Sequence, residues 1–313
     1  MADNRTRMLD LAKVLIATAW ADGEITIDEQ NCLKDVIFHL SDTGVQLSAQ
    51  EWEMLDMYIE APVGADERAR LVADLQATLQ TPSERQYVLQ ALQQMAFADG
   101  VSGEEEQQVI NEITQAVQGS DAGLFDGLNR LLGRSLNRRS AAIANAPNRE
   151  AYFDDYLQNK VYYETNRILR EEGRSLDLSD EEMRKLGLAG GLMARIAKVD
   201  QVVSDSEFEA MVSVMAENWQ LERDAAVFVA NVAVSSLDVT YDYYRMTREF
   251  ATSTTLEERQ RFLVALFLIA GADDGVSFDE TEEIRLVQRG VNVGHQDFIE
   301  AKLRAKELRG KEF

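Results

Sequence analysis

The sequence predicts an all-α protein with two tandem helical domains of about six to seven helices each, joined by a helical connector. Three observations support this fold class. The 313 residues contain only three prolines, so few helices are forced to end. Apolar residues recur at helical spacing in many segments, and four short segments repeat. The predicted boundaries are residues 1–120 for the first domain, 121–165 for the connector and 166–313 for the second domain.

The repeated motif is a short acidic segment that begins at Asp22, Asp99, Asp200 and Asp274. Its four copies read DGEITIDE, DGVSGEE, DQVVSDSE and DGVSFDE. The first and third copies lie 178 residues apart, and the second and fourth lie 175 residues apart. This nearly constant offset predicts that one domain carrying two motifs was duplicated.

A longer match precedes the second and fourth motifs. The segments TPSERQYVLQAL, from Thr81, and TLEERQRFLVAL, from Thr255, share the pattern T-x-x-E-R-Q-x-x-L-x-A-L. Each begins with the hydroxyl and glutamate of a helix N-cap, and Pro82 takes the first helical position in the earlier segment. A similar cap at Ser48 predicts a further helix between the two motifs of the first domain.

The first motif is typical of a tight connection between two helices. The helix before it is amphipathic, with an apolar face formed by Leu9, Ala12, Leu15, Ile16, Ala19 and Trp20. Gly23 can adopt the left-handed conformation that ends a helix. Thr26 and Glu29 have the spacing of a capping box, which starts the next helix.

The other three copies follow the same plan. Gly100 and Gly275 take the place of Gly23, whereas the third copy has Gln201 there, for which a left-handed conformation costs roughly 1–2 kcal/mol. Each copy pairs a serine with a glutamate three residues later: Ser102 with Glu105, Ser204 with Glu207, and Ser277 with Glu280.

The first motif also matches the second half of an EF-hand calcium loop. With Gly23 at position 6, Glu29 falls at position 12, where an EF-hand has its bidentate glutamate. Positions 1 and 3 would be Thr18 and Trp20, which lack the carboxylates that the ion requires. The half match therefore does not predict an EF-hand.

A different divalent-cation site is the functional hypothesis. The two motifs of a domain are equivalent in sequence, so a pseudo-twofold axis would bring their carboxylates together as hard oxygen ligands for Ca, Mg or Mn. The competing interpretation is structural, because each glutamate completes a capping box and each aspartate lies at a helix end. The residue types leave both interpretations open. The candidate ligands are Asp22, Glu29, Asp99, Glu105, Asp274 and Glu280.

The segments AWADGEITIDE and AFADGVSGEEE resemble the A-x-A-D-G-x-[IV]-x-x-x-E signature of the tellurite-resistance TerB family. That family also occurs as a domain in some membrane-anchored DnaJ co-chaperones. The resemblance covers residues 1–118, and residues 176–310 resemble a diverged second copy. It implies compact helical domains and a non-enzymatic, acidic stress-response module, with metal binding and membrane-associated partners as expectations. The metal role carries over to Asp22, Glu29, Asp99 and Glu105.

The connector contains a basic amphipathic segment. Apolar residues between Leu124 and Leu136 share one helical face, and arginines lie on the other. One hypothesis is that this helix docks on a membrane surface or a partner protein. The alternative is that its apolar face packs on a domain while its arginines pair with acidic side chains. The candidate contact residues are Arg130, Arg134, Arg138 and Arg139.

The charge distribution argues against a nucleic-acid partner. The formal net charge is −23, with −14 in residues 1–120, zero in 121–165 and −9 in 166–313. Phosphate binding requires clustered basic residues, which the two acidic domains do not offer. The charge therefore argues against broad nucleic-acid binding.

The remaining features predict a cytoplasmic, non-enzymatic protein. The only cysteine is Cys32, as expected in a reducing compartment. The longest apolar run, Phe262 to Ala272, has 11 residues, short of the ~20 that span a bilayer. Neither His39 nor His295 belongs to a catalytic or di-iron motif.

The combined prediction is a cytoplasmic adaptor or sensor that has a protein partner and reaches the inner face of the membrane only peripherally. Its acidic motifs would bind a divalent cation. The alternative is a metal-independent scaffold, or a co-chaperone-type interaction module, that docks through residues 121–165.

Overall fold

The computed structural model describes residues 2–41, 47–96, 104–118, 146–236, 243–273 and 275–310. Contacts divide the chain into two compact units, Met1–Phe153 and Asp154–Phe313, which we call domain one and domain two. The described residues form fifteen α-helices and no strand. This confirms the predicted all-α class with two tandem helical domains.

Domain one is organised around its first helix, α1, against which the other five described helices pack. Residues 11–19 of α1 are buried without a break, because a helix in the centre of a bundle has no solvent face. Its six helices are α1 Ala2–Ala19, α2 Ile27–Ser41, α3 Ala49–Ile59, α4 Ala65–Thr78, α5 Pro82–Ala96 and α6 Glu104–Gln118.

Domain two has the same plan, with α9 as its central helix. The residues from Leu186 to Ala194 are all buried, and α8 and α10 to α14 pack around them. Its helices are α7 Phe153–Gln158, α8 Lys160–Glu171, α9 Asp180–Ala197, α10 Asp205–Trp219, α11 Arg223–Ser236, α12 Tyr243–Ser253, α13 Leu256–Ala270, α14 Phe278–Gly290 and α15 His295–Arg309. Seven of them begin after residue 166.

The helix boundaries carry the duplication that the motifs predict. α9 and α10 begin 178 residues after α1 and α2. α13 and α14 begin 174 residues after α5 and α6. The offset of 174 is the one shared by the segments at Thr81 and Thr255. Two helix pairs per domain, each joined by one motif, therefore repeat along the chain.

Capping boxes fix the starts of several helices. The Ser48 hydroxyl accepts a hydrogen bond from the Glu51 backbone N–H, and the Glu51 carboxylate accepts one from the Ser48 N–H at 2.7 Å. The same reciprocal pair joins Thr255 to Glu258 at the start of α13. α3 begins directly after Ser48 and α5 begins at Pro82, so the predicted caps at Ser48 and Thr81 are confirmed.

A buried arginine ties the chain after α6 back onto domain one. Arg149 is 8% exposed, and its guanidinium donates to both carboxylate oxygens of Glu67 and to the carbonyls of Met57, Ala61 and Pro62 at 2.6–3.2 Å. All five guanidinium N–H groups thus have an acceptor. Arg149 thereby holds the end of α3, the α3–α4 loop and the first turn of α4 together.

The neighbouring Glu150 extends this contact into a polar cluster. Its Oε1 lies 2.7 Å from the Lys13 Nζ and accepts a hydrogen bond from the Tyr58 hydroxyl at 2.8 Å. Burial works to raise the pKa of Glu150, but Lys13 and Tyr58 hold it below its ordinary value. Burial raises the pKa of nearby Asp10 to about 6, although Lys13 opposes the shift. We call residues 146–153 the clamp segment.

The clamp segment and the helices α7 and α8 divide the predicted connector between the two domains. Residues 146–153 belong to domain one, and the helices α7 and α8 lie almost entirely in domain two. The predicted connector, residues 121–165, therefore contributes to both units. Its basic part, with Arg130, Arg134, Arg138 and Arg139, lies outside the described residues. Arg149 pairs with an acidic side chain, as the structural alternative for the connector arginines expects.

Replacing Arg149 with methionine should destabilise domain one by about 3–5 kcal/mol, because the buried Glu67 would lose its hydrogen-bonded partner and keep only Arg70, at 3.7 Å. Chemical denaturation followed by the fluorescence of Trp20 and Trp52 measures the effect. Adding Glu67→Gln to Arg149→Met should recover part of the loss. The exposed pair of Arg174 with Glu172 in domain two, followed through Trp219, supplies the control, since Arg174→Met should cost less than about 1 kcal/mol. Equal losses of unfolding free energy in Arg149→Met and Arg174→Met would contradict the stabilising role of Arg149.

The paired acidic turns as the candidate functional site

The four motifs form short connections that we call acidic turns one to four, in chain order. Turns one, three and four are described, apart from Asp274 in turn four. Turn two, with Asp99, lies outside the described residues, and only the backbone of Glu105 is described. Turn one follows the central helix α1, and turn three follows the central helix α9.

Turn one closes α1 and starts α2 as the sequence predicts. A short 3₁₀ segment, Trp20–Asp22, leads to Gly23, which has a φ of +98° and donates its N–H to the Trp20 carbonyl. The Glu29 carboxylate accepts hydrogen bonds from the Thr26 N–H at 2.7 Å and from its hydroxyl at 2.8 Å. The Thr26 hydroxyl oxygen accepts the Glu29 N–H at 3.2 Å. Glu29 is only 5% exposed.

Turn three keeps this geometry although it lacks the glycine. Gln201 adopts a φ of +70°, so a side-chain-bearing residue takes the left-handed conformation despite its cost. The Glu207 carboxylate accepts the Ser204 N–H at 2.8 Å, and the Ser204 hydroxyl oxygen accepts the Glu207 N–H at 3.2 Å. Glu207 is 3% exposed. The predicted capping box is therefore present in the diverged copy.

Turn four has the same capping box, but its glutamate is more exposed to solvent. Gly275 has a φ of +108°, and the Glu280 carboxylate accepts the Ser277 N–H at 2.6 Å. Glu280 is half-buried, unlike Glu29 and Glu207. Turns one and three end the central helices, whereas turn four ends α13, which packs on the central helix α9.

The motif aspartates also have a structural role that the sequence did not reveal. The carboxylate of Asp22 accepts a hydrogen bond from the backbone N–H of Glu24 at 3.3 Å. Asp200 accepts one from the N–H of Val202 at 3.1 Å. An aspartate bonded to a backbone N–H two residues later stabilises a turn. Both aspartates are exposed, so the rest of each carboxylate faces solvent.

The two positions that an EF-hand would require are occupied by packing residues. The Thr18 hydroxyl is buried and donates to the Val14 carbonyl at 2.8 Å. The Trp20 indole N–H donates to the Tyr58 carbonyl at 2.9 Å. Neither side chain points toward a shared ion site with Glu29. Turn one is thus a helix connection and does not form an EF-hand loop.

In domain one, turn one lies near the helix that follows the second motif, and in domain two residues of both motifs lie near each other. In domain one, the Trp20–Asp22 segment of turn one packs against α6, the helix that follows the second motif. In domain two, the pKa of Glu207 is raised, chiefly because it is buried and further because Asp273 and Asp200 lie near it. Turns three and four therefore place like charges close together.

Within the described ranges, no three histidine, cysteine, aspartate or glutamate side chains converge closely enough to hold a metal ion. The candidate ligands Asp99 and Asp274 lie outside these ranges, as does the side chain of Glu105. Among the candidate ligands, Asp22, Glu29 and Glu280 can be located. Asp22 stabilises its turn, and Glu29 and Glu280 each complete a capping box.

A family model described as tellurite resistance protein TerB matches residues 8–124 and 185–303. The chain belongs to the TerB family. The two matches begin in α1 and α9 and together span all four motifs, so both domains are TerB-like and the predicted tandem arrangement is confirmed. No curated protein and no solved structure matches the chain.

The TerB motif alone did not point to Asp273 and Glu207 as members of the site. Asp273 precedes the repeated aspartate of turn four, and the doubled acid in GADDGVS is the only trace of it in the sequence. Glu207 has the same local sequence as any capping glutamate. Its burial and its acidic neighbours depend on how α10 packs near turn four, which no local pattern encodes.

The pH dependence of two capping glutamates in domain two should have opposite signs. The raised pKa of Glu207 means that its ionised form destabilises the domain as the pH rises through that value. Hydrogen bonds from Ser179 lower the pKa of Glu182, so its ionised form stabilises the domain, and that contribution is lost as the pH falls. Glutamine keeps a capping acceptor without the charge.

Relative to the unchanged protein, Glu207→Gln should therefore gain stability as the pH rises from about 4 to 8, whereas Glu182→Gln should lose stability over the lower part of that range. Urea denaturation at a series of pH values, followed by Trp219 fluorescence, gives both differences. The same slope for the two variants would show that burial and the neighbouring acids do not govern Glu207.

Proposed function

We propose that this TerB protein is a non-enzymatic adaptor or sensor in a stress response, whose paired acidic turns bind a divalent cation. The electrostatic state of Glu207 carries the proposal. Its pKa lies above the ordinary value because burial, Asp273 and Asp200 all disfavour its charge. A divalent cation would offset that repulsion. Cation binding would therefore stabilise the folded domain in proportion to occupancy.

The chemistry of the turns suits hard cations. Ca, Mg and Mn prefer carboxylate and carbonyl oxygens, and the turns carry both. The bonds from Ser204 to Glu207 all use the Oε2 atom, whereas a carboxylate has about four lone-pair sites. Capping and coordination are therefore compatible in one side chain. The proposed ligands in domain one are Asp22, Glu29, Asp99 and Glu105. In domain two, Asp200, Glu207, Asp273 and Glu280 do not converge on an ion by themselves, so the proposed site there also requires Asp274.

The use of the motif hydroxyls supports a role other than catalysis. A nucleophilic hydroxyl needs a neighbouring base and a third group that orients the base. The Thr26 and Ser204 hydroxyls instead contact the glutamates of their own capping boxes. His295 lies beside Phe298, with ring centroids 6.2 Å apart. These side chains build helix starts and core contacts, which is typical of a binding module.

The proposed partners are proteins, including membrane-associated ones, and the proposed location is the cytoplasm or the inner face of the membrane. A net charge of −23 favours basic protein surfaces and disfavours nucleic acid. In the described part of the chain, no helix combines the length and apolarity needed to cross a bilayer.

Calorimetric titration of the full chain with Ca, Mg and Mn tests the cation site. Two double variants separate the domains: Asp22→Asn with Asp99→Asn, and Asp200→Asn with Asp273→Asn. Asparagine retains an oxygen that can accept the turn N–H bonds of Glu24 and Val202 while it removes the charge. The heat from each domain should disappear in its own double variant and persist in the other.

An exposed carboxylate away from the turns, Asp177, provides the matched control, because Asp177→Asn removes a charge without touching a motif. The melting temperature should also fall in EDTA and rise with excess metal. The cation site is wrong as drawn if both double variants titrate like the unchanged protein. Melting that is identical in EDTA and in excess metal would reject it independently.

A metal-independent scaffold that docks through residues 121–165 is the second candidate. The observation that favours it is the clamp segment. Because α6 ends at Gln118 in domain one and Arg149 returns the chain to domain one, residues 119–148 are tethered to one domain at both ends. Their arginines would be presented from a fixed base to a membrane surface or a partner protein.

Pelleting of the full chain with anionic liposomes tests this scaffold role. Binding at low salt should be lost in Arg134→Glu with Arg138→Glu and should weaken as salt screens the charges. The exposed arginines Arg289 and Arg304 of domain two supply the control pair, since their reversal leaves the connector intact. Absence of binding at low salt would remove membrane docking through this segment.

A further inference from the structure

A groove on domain two combines apolar walls with positive charge. Its volume is about 430 Å³, within the range of small-molecule sites. Phe267 of α13, Val276 of turn four, and Ile299 and Leu303 of α15 form the apolar part. Ile299 and Leu303 are 42% and 56% exposed, so the folded domain leaves this surface open to solvent.

Three cations line the same groove: Lys302, Lys306 and Arg309, all on α15. None of the described groove-lining residues is an aspartate or glutamate, although the chain as a whole carries a net charge of −23. A patch without acids is unexpected on such a protein. Basic residues in the last turn of a helix offset its dipole, which accounts for Lys306 and Arg309 but leaves Lys302 and the apolar walls unexplained.

Neutral groups position two of these cations. The Lys302 Nζ donates to the Thr281 hydroxyl at 3.4 Å and lies 5.9 Å from the ring centroid of Phe267. Arg309 donates to the Asp273 carbonyl at 3.4 Å, and its guanidinium lies over Gly271, where a Cβ atom would collide with it. These neutral partners do not cancel the charges of Lys302 and Arg309.

The groove is polarised along α15. Ile299 lies in the N-terminal half of α15, Lys302 and Leu303 lie near its middle, and Lys306 and Arg309 lie in its last turn. Ile299 and Arg309 are ten positions apart, which corresponds to about 15 Å along the helix axis. An elongated ligand with an apolar body and one anionic end therefore matches the groove in shape and in charge.

We propose that this groove binds a free long-chain carboxylate. The acyl chain packs against Phe267, Val276 and Leu303, where burial of its methylenes favours binding. The carboxylate faces Lys306 and Arg309, and a guanidinium can bind it through two hydrogen bonds. Val276 of turn four lines this groove, but no carboxylate of the acidic turns does, so dodecanoate binding can be tested separately from cation binding.

Calorimetric titration of the full chain with monomeric dodecanoate tests the proposal, with dodecyltrimethylammonium as the probe of opposite charge. Dodecanoate should bind with a stoichiometry of one, and the cationic probe should not bind. Lys306→Glu reverses the charge beside the carboxylate, and Leu303→Glu places a charge against the chain. Each should weaken binding by about tenfold or more, since tenfold corresponds to only 1.4 kcal/mol.

Arg304→Glu is the matched control, because Arg304 is exposed on the same helix but lies outside the groove. It should leave dodecanoate affinity within about twofold, well under 1.4 kcal/mol, and circular dichroism should show that all variants melt as folded domains. The proposal is overturned if dodecanoate does not bind, if both probes bind equally, or if Arg304→Glu weakens binding as much as Lys306→Glu.

A vesicle experiment separates a free carboxylate from a lipid surface. Phosphatidylglycerol vesicles should not pellet the protein in a manner that depends on Lys306. Pelleting that Lys306→Glu abolishes, without binding of monomeric dodecanoate, would assign the groove to a membrane headgroup and reject the free carboxylate.

Discussion

The fold depends on ending a buried helix within a bundle without leaving its backbone groups unpaired. The last carbonyls of a helix and the first N–H groups of the next have no partner of their own, and α1 and α9 lie at the centres of their domains. Turns one and three satisfy these groups locally, through a left-handed residue, an aspartate and a capping box. The helices around each centre can therefore pack closely on both sides of the turn.

The capping role of the acidic turns also places carboxylates in buried positions. Glu207 must lie at the start of α10 to cap it, and burial there raises its pKa before any ligand is considered. Asp273 and Asp200 add to the repulsion. Domain two thus holds like charges together because helix packing requires it. A bound cation would offset an electrostatic repulsion that the folded domain already contains.

Arg149 attaches the clamp segment to domain one. It supplies donors to the carbonyls of Met57, Ala61 and Pro62 and pairs with Glu67. Without these bonds the carbonyls of the α3–α4 loop would lose their donors, and the clamp segment would be held by Glu150 through Lys13 and Tyr58. The chain belongs to domain one both at the end of α6 and at Arg149.

The sequence by itself determined the helical class, the duplication and the turn design. Gly23, Thr26 and Glu29 act through hydrogen bonds within a few residues, so their pattern is legible locally, and the same holds for Ser48 and Thr81. Only the tertiary structure decided which helices are central and that Glu207 lies near Asp273. It also decided the burial of Arg149, 82 residues from Glu67. These features depend on contacts between distant segments, and such contacts follow from packing and leave no periodic signal in the chain.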